Sequence, residues 1–184
     1  MLRFVICCAL ALHACLSQAD VAVLEMQHAT HGRMLVARAT EQIAPGDYEA
    51  LLKGITAHPG RYARKLLILD NIGGSAAEAM RMGYLLRETG FEALVPRSAV
   101  CQGSCVYLLA AGRKRTVRGH VALHRPYVAN GESALSAGQR PRRTPEAYFR
   151  DMGMHTSLAK DMQRFEPWRM HLLTPRELAR YRLQ

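Results

Sequence analysis

The segment from residue 64 to residue 112 constrains the fold more than any other part of this 184-residue chain. It contains a short, continuous apolar run at residues 66–69 (LLIL), which is followed by Asp, Asn and, after one isoleucine, a pair of glycines. Such a run, ended by turn residues, is typical of a strand that is covered on both faces of a sheet. The sequence therefore predicts a buried strand here, of the kind found in parallel sheets.

A helix and a second strand are predicted directly after this strand. Ser75 and Glu78 have the spacing of a capping box, in which the serine oxygen and the glutamate carboxylate each accept a bond from the other residue's amide. Gly90 can adopt the positive φ that commonly ends a helix, and residues 93–95 (ALV) form the next apolar run. A strand, a helix and a strand of this length predict a right-handed parallel crossover unit.

The turns after these two strands carry residues suited to chemistry. Gly73 and Gly74 lie between the first strand and its helix, where backbone amides can approach an oxyanion. Residues 101–105 (CQGSC) follow the second strand and place Ser104, a candidate nucleophile, at the start of an apolar helix. A tight turn also explains the glycine pair, and helix capping also explains Ser104, so both interpretations stay open.

The amino terminus predicts an exported protein. Residues 1–3 are a short basic region, residues 4–12 are apolar, and residues 17–19 (SQA) have the small side chains that a signal peptidase recognises. We therefore expect a signal peptide at 1–19 and a single periplasmic or secreted domain at 20–184. The alternative is a lipoprotein that is anchored through Cys15.

Cleavage after Ala19 leaves two cysteines, Cys101 and Cys105. An even pair in an oxidising compartment predicts a disulfide between them. Four residues apart on a regular helix, their Cα atoms would lie about 6 Å from each other, which is near the upper end of disulfide geometry. A disulfide here therefore implies a turn that enters the helix.

The formal net charge of +10 favours a weak association with anionic membrane surfaces. Its basic clusters, at residues 113–118 and 140–143, lack the interleaved aromatic residues of nucleic-acid platforms, so we expect no nucleic-acid partner. His28 and His31 have no third ligand nearby, which argues against a metal site. Nothing in the sequence implies a cofactor.

The remaining elements are predicted from apolar patterns and helix signals. A strand is expected at residues 34–39, and a helix capped by Asp47 at residues 48–56. A second strand at residues 119–124 ends on His124, at the strand end where parallel sheets present their sites. Residues 129–144 are predicted to be a mobile loop, and three helices are expected to begin near residues 144, 157 and 174.

Taken together, four motifs resemble the proteolytic subunit of Clp protease and, more widely, the small exported bacterial members of the Clp/crotonase superfamily. They are residues 67–75 (LILDNIGGS), 101–112 (CQGSCVYLLAAG), 121–126 (VALHRP) and 172–183 (LLTPRELARYRL). The resemblance implies a single α/β domain built as a crotonase-like spiral of β-β-α units. It also leaves open whether the chain forms a homo-oligomer.

The same resemblance implies a serine-hydrolase triad. His124 would be the general base, Gly73 and Gly74 would supply oxyanion amides together with the amide of Cys105, and Glu166 would take the place of the family's acidic residue. Exported relatives have a serine midway between two cysteines, but this chain has Gly103 there and Ser104 one place later. A shift of one residue moves a Cα atom by about 3.8 Å, which is too far for proton transfer.

Two functions follow from this displacement. In the first, the site has lost its nucleophile, and the protein is a non-proteolytic module that binds a peptide or protein, or that acts in assembly. In the second, a compensating deletion in the helix restores the register of Ser104, and the protein is a peptidase that uses Ser104, His124 and Glu166. A serine and lysine dyad is a further alternative, and it would have to use Lys160.

Overall fold

The computed structural model describes residues 21–126 and 144–184. Within them the chain forms one α/β domain with eight strands in a mixed sheet and six α-helices. The strands are β1 (Val21–His28), β2 (Gly32–Ile43), β3 (Arg64–Gly74), β4 (Glu92–Val95), β5 (Val100–Gln102), β6 (Arg115–Val117), β7 (His120–Leu123) and β8 (His171–Leu172). The helices are α1 (Asp47–Thr56), α2 (Ala76–Thr89), α3 (Cys105–Ala111), α4 (Pro145–Asp151), α5 (Ser157–Met162) and α6 (Pro175–Tyr181). The predicted signal peptide at 1–19 and the predicted loop at 129–144, except its last residue, lie outside the described residues.

The sheet divides at β3, which changes its neighbour along its length. Residues 66–68 of β3 pair with β4, whereas Asn71 pairs with β5, both in parallel. β5 continues in parallel to β7, while β1 and β8 pair antiparallel with β2 and β7 at the two ends of this row. The carboxyl ends of β3, β5 and β7 therefore lie next to one another.

The predicted central unit is confirmed in its elements. α2 begins after Ser75, whose hydroxyl accepts a bond from the Glu78 amide at 3.3 Å, and it ends at Gly90 with φ of +86°. The reciprocal half of the predicted capping box is not formed. The Glu78 carboxylate instead accepts the amides of Gly46 and Tyr48, at 3.1 and 2.9 Å, and so joins α2 to the start of α1.

The prediction that Asp47 caps α1 is wrong. The N-cap is Gly46, and Asp47 is the first residue of the helix. Its carboxylate turns back and accepts the amide of Ala44 at 2.8 Å, so it stabilises the turn before the helix. Asp47 is 6% exposed, and this burial raises its pKa to about 6.

Asp47 should therefore make stability depend on pH. Its pKa in the folded chain lies above its ordinary value of 3.8, so between about pH 4 and pH 6 the folded chain holds a proton that the unfolded chain has released. Stability from this group is present at pH 4 and is lost as the pH rises to 6. We expect Asp47→Asn to remove that loss. Between pH 4 and pH 7, the free energy of unfolding of the wild type should fall by about 2 kcal/mol more than that of the variant. Urea denaturation of both proteins at the two pH values measures this difference. The same change of unfolding free energy with pH in both proteins would contradict the prediction.

The hydrophobic core contains buried side chains from the sheet and from all six helices. All seven residues of α3 are buried, in keeping with its apolar sequence. Three aromatic side chains meet beside it: Tyr107 stacks on Phe149 with ring centroids 4.7 Å apart, and Tyr148 approaches both edge to face. The Tyr148 hydroxyl donates to the Tyr107 carbonyl at 2.8 Å, which satisfies a buried polar group. This cluster attaches α4 to α3.

The carboxyl-terminal segment ends the row of strands. Thr174 and Glu177 form a full capping box at the start of α6, and the bonds from the Thr174 amide and from His171 lower the pKa of Glu177 to about 2. Before β8, a short 3₁₀ turn spans Pro167–Arg169. Two large side chains around it, Trp168 and Leu172, are 74% and 55% exposed.

Candidate functional site

Three strand ends converge at one edge of the sheet. Asn71 of β3 pairs with Cys101 of β5, and Cys101 pairs in turn with Val121 of β7. The glycine pair, the CQGSC turn and His124 are each placed at or just beyond the carboxyl ends of these strands. The structure thus brings together the three groups that the sequence singled out, although β7 ends one residue before His124 rather than on it.

His124 is held in a single orientation within the protein. The side chain is 1% exposed, and its Nδ1 lies 2.9 Å from the carbonyl oxygen of Arg125. Because a carbonyl can only accept, Nδ1 carries the proton when the ring is neutral, and Nε2 carries the lone pair. Burial lowers the pKa of His124, against a smaller opposing effect of this bond, so the neutral ring is favoured.

Gly103 lies directly against the imidazole. A Cβ atom added at residue 103 would stand 2.3 Å from Cε1 and 2.7 Å from Nε2 of His124. The backbone of Gly103 has φ of +50°, and its amide donates to the carbonyl of Ala122 on β7 at 3.1 Å. Residue 103, which has no side chain, therefore packs against the imidazole ring of His124.

Ser104 points its hydroxyl to the other neighbouring strand. Its Oγ donates to the carbonyl of Gly74 at 2.8 Å, and the side chain is fully buried. Ser104 is the N-cap of α3, but it makes no side-chain capping bond. Its hydroxyl proton is engaged with β3, so the side chain ties the CQGSC turn to the glycine turn.

The glycine turn is held by Asn71. The Gly73 amide donates to Asn71 Oδ1 at 2.9 Å, and Asn71 Nδ2 donates to the carbonyl of Thr40 on β2 at 3.0 Å. The amide of Gly73, predicted to bind an oxyanion, thus has an acceptor within the protein. Sequence reasoning did not identify Asn71, although its place just before the glycine pair is a signal for such a side-chain turn.

The backbone of the two turns is in close approach. A Cβ atom at Gly73 would lie 2.9 Å from the Gln102 carbonyl and 3.1 Å from the Ser104 amide. The Ser104 amide, rather than that of Cys105, follows the residue that faces His124. The oxyanion set of Gly73, Gly74 and Cys105 stays a prediction, and the Gly73 amide in it is bonded to Asn71 Oδ1.

The predicted acidic residue, Glu166, lies beside the site and contacts the residue after the histidine. Its carboxylate forms an ion pair with Arg125 at 2.7 Å, and the Arg125 amide donates to the Phe165 carbonyl at 2.8 Å. The bond at His124 Nδ1 goes to a backbone carbonyl, which takes the place that a carboxylate holds in a serine triad. Lys160, the alternative base, is an exposed residue of α5.

The predicted disulfide is present. Cys101, the middle residue of β5, is bonded to Cys105 at the start of α3, with Cα atoms 5.2 Å apart, and both side chains are fully buried. The bond encloses Gly103 and Ser104. It therefore fixes the turn that brings Gly103 against His124.

Residues 21–126 and 144–184 contain neither a metal-binding cluster nor a helix that could span a membrane. No group of three or more histidine, cysteine or carboxylate side chains there is arranged to hold a metal ion. Across the same residues, no helix combines the length and the apolar character needed to cross a bilayer.

The sequence matches no family model and no curated protein. Its structure, in contrast, is similar to many solved chains. One is a crystal structure described as that of an enzyme, with a TM-score of 0.57 at 9% identity, covering 80% of this chain and 92% of that chain. At this identity the likeness concerns the α/β fold alone.

Proposed function

We propose that this protein is an exported member of the Clp/crotonase superfamily whose serine-hydrolase site has no nucleophile, and that it binds a peptide or protein ligand without cleaving it. The observation that carries the proposal is the contact between Gly103 and His124. A nucleophile and its base must lie within hydrogen-bond reach of each other, at about 2.6–3.2 Å. Among the described residues, the backbone of Gly103 lies against the imidazole, and a glycine has no side chain that could act as a nucleophile.

The bond made by Ser104 supports this proposal. For Ser104 to act as the nucleophile, its hydroxyl would have to leave the Gly74 carbonyl and give its proton to His124. Breaking a buried hydrogen bond leaves an unpaired carbonyl, at a cost of about 1–3 kcal/mol, and the disulfide around the turn restricts the necessary movement. The alternative of a Ser104, His124 and Glu166 triad therefore has little support.

The location outside the cytoplasm is part of the proposal. A buried disulfide is characteristic of proteins in oxidising compartments. The amino-terminal 19 residues have the pattern of a signal peptide, although they lie outside the described residues.

A fluorophosphonate probe tests whether the site has a nucleophile. We expect the wild-type protein to be labelled no more than Ser104→Ala, because the proton of Ser104 is engaged by Gly74. A known serine hydrolase in the same tube shows that the probe is active. Labelling of the wild type that is absent from Ser104→Ala would establish hydrolase chemistry and refute the proposal.

Binding can be tested with a pool of tryptic casein peptides. We expect mass spectrometry to recover the pool uncut after incubation, and we expect amide NMR signals of residues 71–74 and 103–105 to shift on its addition. The amides of α5 serve as an internal control, since this helix carries none of the groups at the strand ends. Cleaved peptides, or shifts confined to other surfaces, would contradict the binding module.

A further inference from the structure

We propose that the surface around Trp168 docks the protein on an anionic phospholipid bilayer. This surface, called the Trp168 face below, consists of Trp168, Met170 and Leu172 with the flanking Arg164 and Arg169. It lies next to β7, because Leu172 pairs with Ala122, but it includes none of Gly73, Gly103 and His124. The inference does not depend on the function proposed for those residues.

The apolar part of the Trp168 face is large for a segment of five residues. Trp168, Met170 and Leu172 are 74%, 45% and 55% exposed. Met170 and Leu172 flank His171, with Leu172 in β8 and Met170 just before it. An exposed tryptophan with neighbouring aliphatic side chains is typical of the boundary between headgroups and acyl chains, where the ring is partly in hydrocarbon and partly in water.

The charge of the Trp168 face complements an anionic surface. Arg169 is exposed and forms no ion pair with any residue in the described part of the chain, and the side chain of Arg164 is 70% exposed with a long contact of 3.5 Å to Asp161. Glu166, the acidic residue between them, is neutralised by Arg125. Residues 161–184 contain five arginines and three carboxylates, within a chain of net charge +10. Each exposed basic residue adds to the attraction of an anionic membrane.

A cleft beside the exposed side chains offers space for a headgroup. It has a volume of 360 Å³ and is lined by Arg164, Phe165, Glu166, Arg169, Met170 and His171. The Glu166 carboxylate in this lining is paired with Arg125 at 2.7 Å. Arginine binds phosphate oxygens through paired N–H groups. A phosphate in this cleft would place the acyl chains of its lipid beside the apolar side chains of the same face.

The chain contains a single tryptophan, so its fluorescence reports on this face alone. The protein is prepared from Asp20, because the apolar residues 4–12 could themselves enter a bilayer. This truncation retains the core, since among the described residues all buried apolar side chains lie at position 34 or later. It is mixed with vesicles of phosphatidylcholine, with or without 30% phosphatidylglycerol. We expect sedimentation and a blue shift of emission with the anionic vesicles alone, both lost at high salt.

Matched double variants locate the binding surface. Arg164→Gln with Arg169→Gln should weaken binding about tenfold, whereas Arg113→Gln with Lys114→Gln, also exposed, should change it less than twofold. Met170→Ser with Leu172→Ser should weaken binding by a similar factor. The control, Leu24→Ser with Met26→Ser, should not weaken binding, although Leu24 and Met26 are also 39% and 42% exposed.

Three results would overturn the proposal. Sedimentation without a change in tryptophan emission would assign binding to another basic surface. Absence of sedimentation with anionic vesicles would exclude the membrane. A blue shift that grows with protein concentration in the absence of vesicles would identify the occupant as a second copy of the chain.

Discussion

Gly103→Ala is expected to lower the free energy of unfolding by about 2–5 kcal/mol. A non-glycine residue in the left-handed region costs about 1–2 kcal/mol, and forcing an extra carbon into a packed interior costs about 1–3 kcal/mol more. The added Cβ would lie 2.3 Å from an atom of the buried His124 ring, which has to move. Urea denaturation monitored by far-UV circular dichroism measures the loss.

The control for Gly103→Ala is Gly32→Ala, at φ of +69° with no atom within 4 Å of the added carbon. This variant has the backbone strain without the collision, so it should lose only about 1 kcal/mol. In a His124→Ala background the cost of Gly103→Ala should fall to the same value, because the ring is gone. Equal losses for Gly103→Ala and Gly32→Ala in the wild-type background would show that the imidazole does not lie against residue 103.

Gly74→Ala is expected to have the largest effect, a loss of more than about 3 kcal/mol. Its φ of +124° is accessible to few residues other than glycine, and the added carbon would lie 2.3 Å from the Ile43 carbonyl oxygen. That oxygen accepts the Ser75 amide at 2.9 Å, so it can move only if the pairing of β2 with β3 changes. We expect a broadened or absent unfolding transition.

Ser104→Ala provides the companion measurement for Gly74→Ala, because it alters the same junction without adding an atom. It removes the hydrogen bond to the Gly74 carbonyl and should cost about 1–2 kcal/mol while the transition stays cooperative. Gly153→Ala, at φ of +74° with no atom within 4 Å, controls for strain alone. A loss for Gly74→Ala no larger than that for Gly153→Ala would contradict the packing of the glycine turn.

The central part of the fold could be predicted from the sequence because local signals agree there. The apolar run of β3, the serine before α2 and the glycine after it each mark one boundary. β5 and β6, with three residues each, are too short to show a pattern. β1 has no predictive pattern either, because apolar residues lie on both of its faces and Leu24 and Met26 remain exposed.

The residues of the candidate site could be predicted from the sequence, but the contacts between them could not. The positions of the glycine pair, the cysteines and His124 followed from strand ends and spacing, since parallel strands present these ends at one edge. The direction of the Ser104 hydroxyl could not be predicted in this way, because it depends on how far α3 rotates relative to β3. Glu166 is implied by the resemblance alone, which does not show that Glu166 pairs with Arg125.

The disulfide joins residues only four apart in sequence, so the covalent ring it closes is small. The entropy that a crosslink removes from the denatured ensemble grows with the logarithm of the ring size, and for so short a ring it is worth about 2 kcal/mol, less than half the value for a ring of 100 residues. Such a bond contributes modestly to the free energy of unfolding of the whole domain, but strongly to the conformation of the single corner between β5 and α3. Reduction would therefore leave the domain folded and let that corner fluctuate, which separates the lifetime of the site from the lifetime of the fold.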